Sequence, residues 1–266
     1  MSIIQVKTRS VCMTKPMTFT LFLPNDVPPM MTEGNPCYDR PTKTLVLLHG
    51  YTADSFEWLY YSTPDDLAVK YNLAVAVLDC DNAFYLDRPG TGNSMGRYIG
   101  EEIPRYLRQT FGLAKKREDT IIGGYSMGGF GALHTALAYP QTYGTAIALS
   151  SALIIHDIAG MSPDAPQEGV VADYAYYREV FGDLDKVTES ENNPEVLVRK
   201  LLRSRKKMPR LLMACGTEDF LVESNRRFRR FLEDNNVPVD YMEAPGMHNF
   251  DFWNPGIYWA LDKLFK

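Results

Sequence analysis

From about residue 44 onward, short apolar runs alternate with longer amphipathic stretches, a pattern that few architectures accept. Thr44–His49 (TLVLLH), Asn72–Asp79 (NLAVAVLD), Thr120–Gly124, Thr145–Ser150 (TAIALS) and Arg210–Cys215 (RLLMAC) have the length of buried strands, and Val237–Glu243 (VPVDYME) is a weaker member of the set. Between them, Glu57–Lys70, Arg97–Phe111, Met127–Ala138, Leu221–Asn235 and Asn254–Phe265 carry helical spacing. Strands that are apolar along their whole length must be covered on both faces. The alternation therefore predicts an α/β fold, a mostly parallel central sheet with helices on each side. Ahead of it, Val6–Leu23 alternates and ends in MTFTLFL, which predicts antiparallel strands at one edge.

Two stretches interrupt the alternation. Asp81–Gly96 (DNAFYLDRPGTGNSMG) is a turn-rich loop, and Ser151–Met208 is far longer than a simple crossover. The second is read as a cap-like insertion, residues 151–208, over the C-terminal edge of the sheet, where open α/β folds bind ligands. Its basic segment Val196–Met208 is read as a solvated helix face. The 266 residues are 45% hydrophobic and 23% charged, and they suit one α/β domain spanning 1–266.

Composition also removes several function classes. A net charge of −5 does not favour nucleic acid or an anionic membrane, and no apolar run approaches the roughly 18 residues of a membrane span. The first twenty residues lack the apolar core of a signal peptide, so a cytoplasmic location is expected. Cys12, Cys37, Cys80 and Cys215 are scattered and read as free thiols. No His, Cys or carboxylate cluster has metal spacing, so no metal and no cofactor are expected. The acidic run Asp183, Asp185, Glu189, Glu191 lacks the glycine and ligand order of a calcium loop. Gly90-Thr91-Gly92-Asn93-Ser94-Met95-Gly96 has the wrong spacing for a dinucleotide fingerprint. A homo-oligomer is compatible with these patterns and is not specified by them.

Gly124-Tyr125-Ser126-Met127-Gly128 is a G-x-S-x-G motif, with a strand-like TIIG before it and a Gly/Ala-rich helix after it. A serine on a strained strand-to-helix turn is exposed for attack, and glycines on either side let the backbones approach. The helix N-terminus adds free N–H groups and positive dipole beside a developing oxyanion. Ser126 is thus the candidate nucleophile.

The chain has four histidines. On a sheet of this kind the acid and then the base follow the nucleophile in the chain. His49 precedes it and sits in an early turn, His134 lies on the following helix, and His156 lies in the insertion. His248, in the loop after the last strand candidate, is the expected base. The segment after Arg210–Cys215 offers Glu218 and Asp219 as the acid. Asp240 is a distant alternative because it falls inside a strand. Oxyanion donors are expected from the backbone N–H of Met127, which follows the nucleophile, and of Tyr51, in the turn after the first strand of the series. Bulky residues crowd the loops expected over Ser126: Tyr51, Phe56, Trp58, Phe84, Tyr85, Phe220, Phe250 and Trp253. They predict a short apolar acyl slot, with Trp58, Tyr85, Phe220 and Trp253 as substrate-binding residues.

With these residues in place, the chain resembles the esterase D family of α/β-hydrolases. It is most similar to the bacterial tributyrin-esterase-like branch and more distantly to S-formylglutathione hydrolases and feruloyl esterases. The resemblance rests on LLHGY at Leu47–Tyr51, EEIPRYL at Glu101–Leu107, GYSMGGFGAL at Gly124–Leu133, CGTEDFL at Cys215–Leu221 and GMHNFDFW at Gly246–Trp253. It implies the α/β-hydrolase fold, Ser126 as nucleophile, Asp219 rather than Glu218 as acid, His248 as base, and Tyr51 and Met127 as oxyanion donors. It further implies a carboxylesterase for short-chain esters, including acetyl or hydroxycinnamoyl esters of plant carbohydrate, with a small-molecule or carbohydrate ester as partner. The turn YTADSFEW differs from the cysteine-containing turn of the formylglutathione hydrolases, which makes a thioesterase the second expectation. A non-catalytic binding protein on a hydrolase fold is the third.

Overall fold

The computed structural model describes residues 1–88, 90–165 and 171–266. Its sheet strands are β1 (Ser2–Arg9), β2 (Pro16–Leu23), β3 (Lys43–Leu48), β4 (Leu73–Leu78), β5 (Thr120–Tyr125), β6 (Thr145–Leu149), β7 (Arg210–Gly216) and β8 (Val239–Ala244). They lie side by side in the order β1-β2-β4-β3-β5-β6-β7-β8. β2 pairs antiparallel with β1 and with β4, and every other neighbouring pair is parallel. The longer helices are α1 (Ser55–Tyr61), α2 (Pro64–Tyr71), α3 (Ile103–Phe111), α4 (Met127–Ala138), α5 (Tyr174–Phe181), α6 (Pro194–Ser204), α7 (Val222–Asp234) and α8 (Phe250–Phe265). The architecture is the α/β-hydrolase fold that the alternation and the motif resemblance implied.

Strand side chains alternate between two apolar layers, as a two-residue repeat requires. Leu45 and Leu47 share one layer with Trp58 of α1, Leu67 and Tyr71 of α2, and Ile257 and Leu261 of α8. Val46 and Leu48 share the other with Leu107 of α3, Phe130 and Leu133 of α4, and Leu197 of α6. Burial of each such side chain stabilises the fold by about 1.5–3 kcal/mol. The frame is therefore strong enough to carry strained loops at its edge.

Topology decides where that edge opens. The chain runs from β3 outward to β4, then crosses back to β5 on the other side of β3. The loops leaving β3 and β5 diverge, and a crevice forms at their C-terminal ends. Thr52, Phe84, Tyr85, Ser126 and Ser150 all have φ between 43° and 59°. All five belong to segments that follow these parallel strands. Each such residue costs about 1–3 kcal/mol.

Some expected boundaries are displaced. The single helix expected over Glu57–Lys70 is two, α1 and α2, because Pro64 disfavours helical backbone at Thr63. Ahead of α3 the chain makes a π-type turn over Tyr98–Glu102, next to Pro104, which has no N–H to return to the helix. The stretch 151–208 has two parts, and its residues 166–170 lie outside the described residues. α6 covers the sheet beside α4 and buries Leu197, Val198 and Leu201, so the basic segment is solvated on one face only. Ahead of it, α5 overhangs the crevice through Tyr176 and Tyr177. Among the described residues, no helix is long and apolar enough to cross a membrane.

Candidate active site

Ser126 joins β5 to α4 at φ 55° and ψ −121°. Its neighbours explain the motif. A Cβ on Gly124 would stand 2.4 Å from the Gly128 carbonyl oxygen, and a Cβ on Gly128 would stand 2.4 Å from the Leu48 carbonyl oxygen. The turn can therefore pack against the end of β3 only with glycine at both places. Gly128→Ala is expected to lower stability by about 1–3 kcal/mol through overpacking, because backbone atoms cannot step aside. A thermal melt checks this, and an unchanged Tm would refute the packing argument.

The loops after β7 and β8 bring the other candidates. Thr217 N–H donates to the Ala244 carbonyl at 2.9 Å, and Glu218 N–H donates to the Gly246 carbonyl at 3.1 Å. The Glu218 carboxylate in turn accepts the Gly246 N–H. Pairing between the two strands thus continues into their loops. Asp219 is buried; its Oδ1 accepts the Leu221 N–H at 2.8 Å, and its Oδ2 lies 2.8 Å from His248 Nδ1. Burial pushes the Asp219 carboxyl up, but the His248 ring and the Leu221 N–H outweigh it and hold the group below the usual carboxylate range. Of the two acidic neighbours, Asp219 faces the imidazole and Glu218 clamps the loop. Asp240 is on β8 and pairs with Arg210 at 3.0 Å, away from His248.

Ser126 and His248 line one cavity of about 290 Å³. No hydrogen bond joins them in this structure, and such contacts commonly tighten only when substrate binds. Tyr51 lines the same cavity. Neither its N–H nor that of Met127 has a hydrogen-bond partner among the described residues; Met127 opens a helix and has no intrahelical acceptor. His49 shapes the Tyr51 turn. Its Nδ1 lies 2.8 Å from the Gly50 carbonyl, and its Nε2 faces both backbone groups of Cys80, 3.0 Å from the carbonyl and 3.1 Å from the N–H. The Gly50 carbonyl shares a peptide plane with the Tyr51 N–H.

Two expected substrate-binding residues are elsewhere. Trp58 is wholly buried between the sheet and Phe250, with its Nε1–H donating to the Leu48 carbonyl at 2.9 Å. Tyr85 is wholly buried and donates its hydroxyl to the His49 carbonyl at 2.6 Å. Each ring turned inward because its polar atom found a backbone acceptor there. Phe220 does line the cavity, with its ring centroid 4.5 Å from that of His248. Trp253 packs edge-on to His248 at 4.9 Å and donates to Ser150 Oγ at 3.0 Å, so it buttresses the imidazole from beside the cavity. The other walls are Thr52, Phe84, Ala152, Ile154, Val171, Ala172, Leu221 and, from α5, Tyr176 and Tyr177. The last two were not anticipated, although the run Tyr174-Ala175-Tyr176-Tyr177 inside the overhanging segment was a visible signal.

The remaining histidines and thiols are occupied otherwise. His134 is buried, with its Nε2 2.9 Å from the Glu191 carbonyl, and burial pushes its pKa down to about 4. His156 pairs with Glu195 at 2.8 Å. Burial pushes the Cys215 thiol up to about 12 and raises Cys80 as well, which disfavours a thiolate at either. Among the described residues no group of three or more His, Cys, Asp or Glu stands ready to hold a metal ion.

The model of the Esterase family matches residues 10–264. The chain belongs to the esterase family. It is 40% identical over 266 residues to an acetyl esterase of Caldicellulosiruptor saccharolyticus, covering 100% of this chain and 99% of that relative. Among solved structures it is similar to a fluorophosphonate-binding serine hydrolase of Staphylococcus aureus with substrate bound, at 28% identity and TM-score 0.84 over 100% and 98% of the two chains. It is also similar to an S-formylglutathione hydrolase of the same organism, at 28% identity and TM-score 0.82 over 100% and 99%. The resemblance to esterase D proteins read from five short motifs is borne out at family level. This esterase is a serine carboxylic ester hydrolase.

Proposed function

We propose that this esterase cleaves short-chain acyl esters, acetyl esters foremost, through Ser126, His248 and Asp219. The alcohol class proposed is carbohydrate, including plant carbohydrate bearing acetyl or hydroxycinnamoyl groups. One observation carries the chemistry: a serine on a left-handed turn and an imidazole paired with a buried carboxylate share one small cavity with mostly apolar walls. His248 Nε2 takes the Ser126 proton as Oγ attacks the ester carbonyl. The oxyanion receives the N–H groups of Tyr51 and Met127. His248⁺ then protonates the leaving alcohol, the acyl group stays on Ser126, and a water activated by His248 releases the acid. Asp219 keeps the Nδ1 proton in place and stabilises the imidazolium. The acetyl esterase relative supports the acyl preference.

Acyl length tests the reading. Tyr51, Phe84, Ile154, Tyr176 and Tyr177 close the cavity to a small volume. Each methylene that fits should add up to about 0.8 kcal/mol, close to fourfold in kcat/KM. One that does not fit must displace packed rings at about 1–3 kcal/mol. The expected profile rises from acetyl to propionyl or butyryl and falls steeply by octanoyl. A profile still rising at decanoyl, measured below the micelle threshold, would refute the short slot. The likeness to an S-formylglutathione hydrolase supports a thioester as the second reading. S-formylglutathione therefore belongs on the same panel, and turnover above that of the best oxygen ester would reverse the ranking.

A further inference from the structure

The turn that carries the Tyr51 N–H is held from two sides. His49 ties the Gly50 carbonyl and so fixes the peptide plane before Tyr51. The plane after Tyr51 ends in the Thr52 N–H, which donates to the side-chain carbonyl of Asn82 at 2.9 Å. Thr52 Oγ1 donates to the carbonyl at the other end of that plane, a tie within the turn itself. Asn82 is thus the outside anchor. It lies in the loop after β4, and its own backbone carbonyl accepts the Tyr176 hydroxyl at 3.2 Å. Thr52 has φ 59°, a region that β-branched residues rarely adopt, so the turn needs something to hold it. Peptide planes are rigid, and pinning both planes around Tyr51 leaves its two dihedrals no freedom.

We propose that Asn82 is a positioning residue of the oxyanion hole: by holding the Thr52 N–H it keeps the Tyr51 N–H aimed at the acyl oxygen on Ser126. This rests on the proposed role of Tyr51 as an oxyanion donor. Full loss of such a donor costs about 10²–10³-fold in kcat, and a displacement near 1 Å about 10²-fold. Asn82→Ala is therefore expected to lower kcat by roughly 10–100-fold while KM stays within about twofold. Asn82 is exposed, so the Tm should hold. A trifluoromethyl ketone, whose adduct carries an oxyanion, should lose affinity in Asn82→Ala by a factor similar to that in kcat/KM. Asn82→Asp offers a carboxylate oxygen to the same N–H and should restore most of kcat.

An Asn82→Ala enzyme with kcat within twofold of the parent overturns the proposal. So does a fall in kcat and Tm together that Asn82→Asp does not repair, because that marks a merely structural residue. Ser126→Ala, assayed alongside, separates the two levels. If Ser126→Ala is inactive and Asn82→Ala is silent, only the role of Asn82 falls. If Ser126→Ala retains activity, the mechanism and the role of Asn82 fall together.

Discussion

Ser126→Ala is expected to lower kcat/KM for any ester substrate by at least about 10³-fold, because the proposed nucleophile, base and acid would act as a unit and the loss of one would forfeit most of what all three provide. Alanine accepts the left-handed backbone of the turn no worse than serine does, so the Tm should change little. The motif glycines, which allow β3 and α4 to touch, are untouched. An organophosphorus probe gives the complementary reading: it should label Ser126 in the parent and nothing in the variant. Labelling at Cys80 or Cys215 would point to another nucleophile, against the raised thiol pKa values that burial imposes there. Residual activity near the parental level would remove Ser126 from the chemistry.

Asp219→Asn carries the second large effect, roughly 10²–10⁴-fold in kcat. The carboxylate accepts from His248 Nδ1 at 2.8 Å, which leaves Nε2 free to receive the serine proton. An amide in its place can turn its NH₂ toward Nδ1, which moves the ring proton to Nε2 and blocks proton acceptance. Glu218→Gln is expected to stay within about threefold of the parent, because the amide oxygen can still accept the Gly246 N–H. The two variants measured side by side settle the order. A larger loss in Glu218→Gln would make Glu218 the acid.

The sheet was legible because its strands are buried on both faces and so are apolar nearly throughout, as in TLVLLH and NLAVAVLD. The turn at Ser126 was legible because the steric demand behind G-x-S-x-G leaves no other residue at Gly124 and Gly128. Asp219 and Glu218 were harder to separate, since adjacent carboxylates differ only in which way one loop turns. The walls of the cavity were read least well. Trp58 and Tyr85 have the right size and the right place in the chain, but an aromatic ring follows its polar atom, and the Leu48 and His49 carbonyls lay inward. Tyr176 and Tyr177 come from a segment whose docking over the crevice leaves no periodic trace in the chain.

The continued pairing of the loops beyond β7 and β8 gives Asp219 and His248 one shared frame, tied through Thr217, Glu218, Ala244 and Gly246. On the proposed mechanism the acid and base are therefore aligned before any ester arrives, and no substrate energy goes into that alignment. The same indole that packs edge-on to His248 stacks on Tyr125, the neighbour of Ser126, with ring centroids 4.2 Å apart. One aromatic side chain, Trp253, thus sets the imidazole and the serine turn against a common surface.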